Sequence, residues 1–223
     1  TKEIRQIHTD YGYDMCLGLQ NLLGSHDTQR LASMIENPEY RLDHGANLKK
    51  NRNYSINPVS PNNRARLMQI IAFQFMSPGA PFIYYGDEVG MWGADDPDCR
   101  KPMIWSDLDY ENESATPFGA SRQHEIKVEP NIKLLEFFTK LCLTRKKFTA
   151  LRRGDFKILL LDNKKRLIAF KRTYKNSVCV AIFNASNITV RMPTLGKDLN
   201  FSMGSEKTTL NKLANHGFAL FIN

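Results

Sequence analysis

His26 and Asp27 stand side by side in the stretch Asn21-Leu22-Leu23-Gly24-Ser25-His26-Asp27-Thr28-Gln29-Arg30, immediately after a short apolar run. A carboxylate and an imidazole immediately after a buried parallel strand stand where barrel enzymes place their active groups. His-Asp at a loop start is also ordinary loop capping, so the pair alone decides nothing. A second stretch, Tyr84-Tyr85-Gly86-Asp87-Glu88-Val89-Gly90-Met91-Trp92-Gly93, offers aromatic faces with polar rims, which suit a sugar ring. Its glycines let the backbone turn sharply and approach a ligand. The bland alternative is an aromatic cluster that packs the end of a barrel. In a third stretch, Asp95-Asp96-Pro97-Asp98-Cys99-Arg100-Lys101-Pro102-Met103-Ile104-Trp105, carboxylates precede Arg100 closely enough to pair with it. A guanidinium held in this way is a rigid multiple donor for hydroxyls, although a plain surface ion pair has the same spelling. EF-hand spacing is absent, and no metal is expected.

The elements that must position these residues follow from the apolar pattern. Residues 17–23, LGLQNLL, read as a strand buried on both sides. Residues 33–60 read as a polar, Asn-rich loop with one helical turn. A helix is expected from Pro61, capped by Ser60, to about Ser77, where Pro78, Gly79 and Pro81 stop it. Phe82-Ile83-Tyr84-Tyr85 reads as a second buried strand, followed by an acidic loop from Asp87 to about Glu129. A helix over 131–148 completes the order strand, loop, helix, strand, loop, helix, the repeating unit of a parallel α/β fold. After Thr149 the texture changes to short β-rich runs (FKILLLD, RLIAFKRTY, SVCVAIFNA, ITVRMP, FALFI), the pattern of an antiparallel sandwich. The domain boundary is placed near 148–154. Two strand–helix units cannot close a barrel, so residues 1–148 read as the end of a larger domain.

Composition narrows the class. The chain has 223 residues, 42% hydrophobic and 24% charged, ordinary values for a soluble globular protein. No apolar run approaches the ~18 residues of a membrane span, and Thr1–Asp10 carries no apolar signal core, so neither a membrane partner nor a signal peptide is expected. Cys16, Cys99, Cys142 and Cys179 form no CxxC pair and read as free thiols, mostly in the core. The net charge of +8 is uneven: residues 140–175 hold 13 Lys and Arg, while 87–113 hold nine Asp and Glu. The basic stretch has neither zinc-finger spacing nor the aromatic pattern of an RNA-binding sheet, so a solvated helix end and strand faces are expected rather than a nucleic-acid partner.

Together these stretches resemble the α-amylase superfamily, family 13 of the glycoside hydrolases, and within it the cyclomaltodextrinase, neopullulanase and maltogenic amylase branch. NLLGSHDTQR resembles the seventh barrel strand and the His-Asp at its end. PGAPFIYYGDEVGMWGADDPDCRKPMIW resembles the eighth strand and its loop, and the helix at 131–148 followed by ALRRGDF resembles the last barrel helix entering a C-terminal β-sandwich. The resemblance covers the chain in order. It implies the last two strand–helix units of a TIM (β/α)8 barrel in residues 1–148 and an antiparallel β-sandwich in 149–223. It implies that Asp27 stabilises the transition state and holds hydroxyls of the sugar being cleaved, and that His26 hydrogen-bonds the same sugar. Asp96 and Arg100 match residues that contact the next sugar, Trp92 a wall of the cleft, and Glu88 and Arg30 supporting braces.

The activity implied is retaining hydrolysis of α-1,4 glucosidic bonds, with α-1,6 bonds left open as a second linkage, in maltodextrins, cyclodextrins or pullulan, with an α-glucan oligosaccharide as partner and no cofactor. A retaining glycosidase needs a nucleophilic carboxylate and a general acid about 5–5.5 Å apart. The family draws both from earlier strands, so this chain alone is expected to be inactive. A non-catalytic α-glucan-binding module is the alternative. Dimerisation, as a homodimer, or packing of the barrel remnant against the sandwich is expected to cover its open apolar edge. A bacterial cytoplasm or periplasm is the expected location.

Overall fold

The computed structural model describes residues 2–40, 44–195 and 199–223. In chain order, α1 (Lys2–Tyr11) and α2 (Tyr13–Cys16) precede β1 (Gln20–Leu22), α3 (Leu31–Glu36), α4 (Arg64–Met76) and β2 (Ala80–Phe82). A hairpin of β3 (Glu113–Ala115) and β4 (Ser121–Ile126) follows, then α5 (Ile132–Lys147) and α6 (Thr149–Arg153). The C-terminal strands are β5 (Lys157–Asp162), β6 (Leu167–Tyr174), β7 (Ser177–Asn184), β8 (Val190–Arg191), β9 (Asn200–Gly204), β10 (Lys212–Leu213) and β11 (Gly217–Ile222). The chain divides into two compact units: residues 1–21, 68–82 and 139–223, and residues 22–67 and 83–138.

The first unit is built on a five-stranded antiparallel sheet in the order β5-β6-β7-β11-β9. Side chains alternate between its two faces. On one face, Leu167, Ala169, Val180, Ile182 and Ala219 form a core with Leu213 and Val190 of the β10-β8 pair, which gives the second layer of a sandwich. On the other face, Phe170 and Phe183 receive Phe73 of α4 edge-on, with ring centroids 5.9 and 5.3 Å away.

The two glutamines that interrupt the apolar run of α4 have a structural use. Gln69 donates to the carbonyls of Asn184 and Gly217, both at 2.8 Å, and Gln74 to those of Asn21 at 2.6 Å and Phe82 at 2.9 Å. An apolar residue at either position would leave buried carbonyls without a donor. The C-terminal carbonyls of α4 lack partners within the helix, and two arginines of the basic stretch serve them. Arg145 donates to Phe75 O at 2.6 Å, to Ser77 O and to Gly79 O. Arg172, which has no exposed surface, donates to Met76 O at 3.1 Å and to the carbonyls of Gly154 and Asp155. Burial lowers the pKa of both guanidinium groups, that of Arg145 to about 10. Part of the positive charge read from the sequence as solvated is thus spent inside the first unit. Three cysteines, Cys16, Cys99 and Cys179, are buried thiols, and Cys142 is exposed.

Several expectations need correction. The first strand is not buried on both sides: Gln20 and Leu22 are exposed, because among the described residues β1 pairs only with β2. The second strand ends at Phe82, short of Tyr84 and Tyr85, whose rings turn onto a guanidinium and whose backbone starts a turn through Asp87 N–H to Tyr84 O at 3.1 Å. Ser60 does not cap α4 with its side chain. Its hydroxyl and N–H both donate to Glu36 Oε1, and a turn over 61–63 precedes the helix. The acidic loop contains the β3–β4 hairpin.

Candidate active site

Every residue singled out for chemistry lies in the second unit, residues 22–67 and 83–138. The segment that follows β1 turns at once. Ser25 N–H donates to Thr28 Oγ1 at 3.2 Å, and Asp27 N–H donates to Ser25 Oγ at 3.1 Å. These local bonds satisfy the turn's own backbone and leave the His26 and Asp27 side chains facing solvent.

Four of the five expected site residues come together. His26 Nε2 lies 3.1 Å from Asp27 Oδ1, and Arg100 Nη2 lies 3.7 Å from the same oxygen. Arg100 Nε is 2.8 Å from Asp96 Oδ1 and donates to His26 O at 2.9 Å. The side chains of His26 and Asp27 are 65% and 70% exposed, and those of Arg100 and Asp96 about 46% and 45%. Exposed pairs of this kind contribute only about 0–1 kcal/mol to stability. A carboxylate, an imidazole and a clamped guanidinium gathered for so little stability remain open to a ligand rich in hydroxyls. Among the described residues no cluster of His, Cys, Asp and Glu could hold a metal ion.

Beneath this exposed layer sits Arg30, with no exposed surface. Its Nε donates to Cys99 O at 2.8 Å and its Nη1 to Tyr85 O, and the guanidinium stacks 4.3 and 4.5 Å from the ring centroids of Tyr84 and Tyr85. Arg30 N–H donates to Gly93 O at 3.0 Å, and Gly93 N–H donates to Ser33 Oγ at 2.9 Å. The loop that carries His26 and Asp27 is thereby stitched to the one that carries Asp96 and Arg100. A Cβ at Gly93 would stand 2.6 Å from Asp98 O, so no side chain fits where the two segments cross. Gly86, at φ 85°, supplies the left-handed turn that brings Asp87 under Arg30.

Asp87 is buried 3.5 Å from Arg30 Nη1. Burial pushes its carboxyl up to about 7, against the opposing pull of Arg30. The folded protein therefore binds this proton more tightly than the unfolded chain does. The stability this contributes is fully present below about pH 4 and is lost as pH rises towards 7. In Asp87→Asn that slope should disappear, so that urea midpoints of variant and wild type diverge between pH 4 and 7 in the variant's favour. Parallel midpoint curves would contradict the assignment.

Trp92 stands apart from the four. The residue is 5% exposed, its Nε1 donates to Glu113 Oε2 at 3.3 Å, and Lys101 Nζ lies 5.6 Å from the ring centroid. Glu88 is partly buried. Sequence reasoning took Tyr85 only as an aromatic face for a sugar ring and passed over Glu113. Tyr85 donates its hydroxyl to Lys101 O at 2.7 Å, beside Arg100. Glu113 was hidden in what read as a plain acidic loop.

Residues 4–154 match the family model described as alpha amylase, catalytic domain. Over 173 residues the chain is 32% identical to a cyclomaltodextrinase of Geobacillus thermopakistaniensis, covering 78% of this chain and 22% of that protein. It is 30% identical over 182 residues to neopullulanase 2 of Thermoactinomyces vulgaris, covering 82% and 23%. The chain thus spans less than a quarter of the length of these curated relatives. Among solved structures it is similar to a maltogenic amylase from S. marinus, with TM-score 0.65, 26% identity, and coverage of 98% of this chain and 24% of that one.

Proposed function

From the premise that the chain belongs to the alpha-amylase catalytic-domain family, we propose that it is part of a retaining glycoside hydrolase that cleaves α-1,4 glucosidic bonds, with α-1,6 bonds left open as a second linkage, in maltodextrins, cyclodextrins or pullulan. Residues 1–148 form the last two strand–helix units of a (β/α)8 barrel, and 149–223 its β-sandwich. The exposed Leu22 and Ile83 fit this reading, since further barrel strands would cover them.

The observation that carries the proposal is the exposed group of His26, Asp27, Asp96 and Arg100 on loops stitched together by Arg30. Asp27 stabilises the oxocarbenium-like charge on the cleaved sugar and, with His26, holds its hydroxyls. Asp96 and Arg100 grip the next sugar, Arg100 being oriented by Asp96 before substrate arrives. Trp92, read from the sequence as a cleft wall, is buried beside Glu113 and Lys101, apart from these four. The nucleophile and the general acid come from other strands of the intact enzyme.

The 223-residue chain alone should release no reducing sugar from maltoheptaose, whereas the intact enzyme should do so. Turnover by the chain alone would contradict this division of labour. Glucan binding by the intact protein without any turnover would replace it with a binding module.

A further inference from the structure

Glu113, at the start of β3, has a contact set that its place in an acidic loop does not explain. Its Oε1 lies 2.7 Å from Lys101 Nζ, and its Oε2 lies 2.8 Å from Arg122 Nη2 and accepts from the Trp92 indole N–H at 3.3 Å. The three partners come from three segments: the turn after the 3-10 helix at 87–89, the end of the 3-10 helix at 98–100, and β4. Arg122 carries the chain of contacts further, donating to Ile56 O at 3.1 Å and Asn57 Oδ1 at 3.0 Å. The carboxylate and its two cationic partners are largely shielded, with side-chain exposures of 21%, 25% and 8%. Below Lys101 and Glu113 lies a cavity of about 200 Å³ lined by Trp92, Ile104, Tyr110 and Val128. Ion pairs over an apolar lining are stronger than those in water.

Lys101 connects this network to the exposed site. It is the residue after Arg100, its carbonyl accepts from Tyr85 at 2.7 Å, and its ammonium lies 3.6 Å from Asp98, which in turn accepts from Ala94 N–H at 2.7 Å. The backbone on which Arg100 stands is therefore fixed through Lys101, and Glu113 holds Lys101 at its far end.

We propose that Glu113 is a positioning residue for sugar binding, which holds the Asp96–Arg100 clamp in place through Lys101 and ties the β3–β4 hairpin to the substrate loop. This rests on the reading of Asp96 and Arg100 given above. Without the carboxylate, Lys101 and Arg122 lose the counter-charge they share, Lys101 keeps only the longer contact to Asp98 at 3.6 Å, and the segment after Arg100 is no longer tied to the hairpin. Arg100 does not meet the reacting carbon, so the loss falls on substrate binding and not on the chemical step.

The test uses the intact enzyme with maltoheptaose. Glu113→Gln should raise KM about tenfold with kcat changed less than about twofold. Lys101→Met, which leaves Glu113, Arg122 and Trp92 together, should raise KM similarly and covers the case in which Glu113→Gln fails to fold. In an Arg100→Ala background neither change should raise KM further, because the clamp they position is already gone. KM shifts that add in that background, or a lowered melting temperature with KM unchanged in both variants, would overturn the proposal. An Asp27→Asn control separates the two levels: full activity there would bring down the underlying site assignment, whatever Glu113 does.

Discussion

Asp27→Asn in the intact enzyme should lower kcat on maltoheptaose by about 10³-fold or more, measured as release of reducing sugar. Asparagine keeps the shape of the side chain, with His26 Nε2 3.1 Å away, but removes the negative charge that the proposed role sets against a developing oxocarbenium. Each tenfold loss corresponds to about 1.4 kcal/mol of transition-state stabilisation. The fold should not register the change. Asp27 is 70% exposed and its backbone is held by Ser25, so stability should stay within about 0.5 kcal/mol of wild type. A slow enzyme with an unchanged melting temperature is the expected pattern. Wild-type rates would show that Asp27 is an ordinary loop carboxylate.

Arg30→Ala should have the largest effect on stability among the site residues, about 3–5 kcal/mol, read as a lowered urea midpoint. The substitution removes donors from the carbonyls of Cys99 and Tyr85, takes a cation from the faces of Tyr84 and Tyr85, and strips Asp87 of its buried partner. Asp87, already held near pH 7 by burial, would rise further and remain protonated at neutral pH. Arg30→Lys should recover little, since an ammonium cannot both fork between two carbonyls and stack on two rings. A loss below about 1 kcal/mol in Arg30→Ala would mean that the two loops are held together by something other than this guanidinium.

Residues that act locally were legible in the sequence. His26-Asp27 and Asp96…Arg100 are read from neighbours in the chain, and the structure brings these four side chains together. The β-rich runs RLIAFKRTY and SVCVAIFNA give β6 and β7, whose near-continuous apolar stretches fit strands packed on both faces. What stayed hidden depends on distant partners. β4 has the sequence SRQHEI, mostly exposed, with no apolar alternation to announce a strand. Glu113 gains its role only when Lys101, Arg122 and Trp92 converge on it. Arg145 and Arg172 read as surface charge because nothing local shows that the end of α4 lies against them. Tyr84 and Tyr85 look like strand residues until Arg30 supplies the cation that turns their rings.

The central claim is that Asp27 meets charge that exists in the transition state and not in the bound sugar. Its most direct test compares two affinities in the intact enzyme, for maltoheptaose and for a glucan analogue carrying a positively charged nitrogen at the cleaved position. Asp27→Asn should weaken binding of the charged analogue by about 10²-fold or more while changing that of maltoheptaose by less than about tenfold. An equal loss for both ligands would contradict the account, since Asp27 would then be only one more hydrogen-bond partner of the sugar.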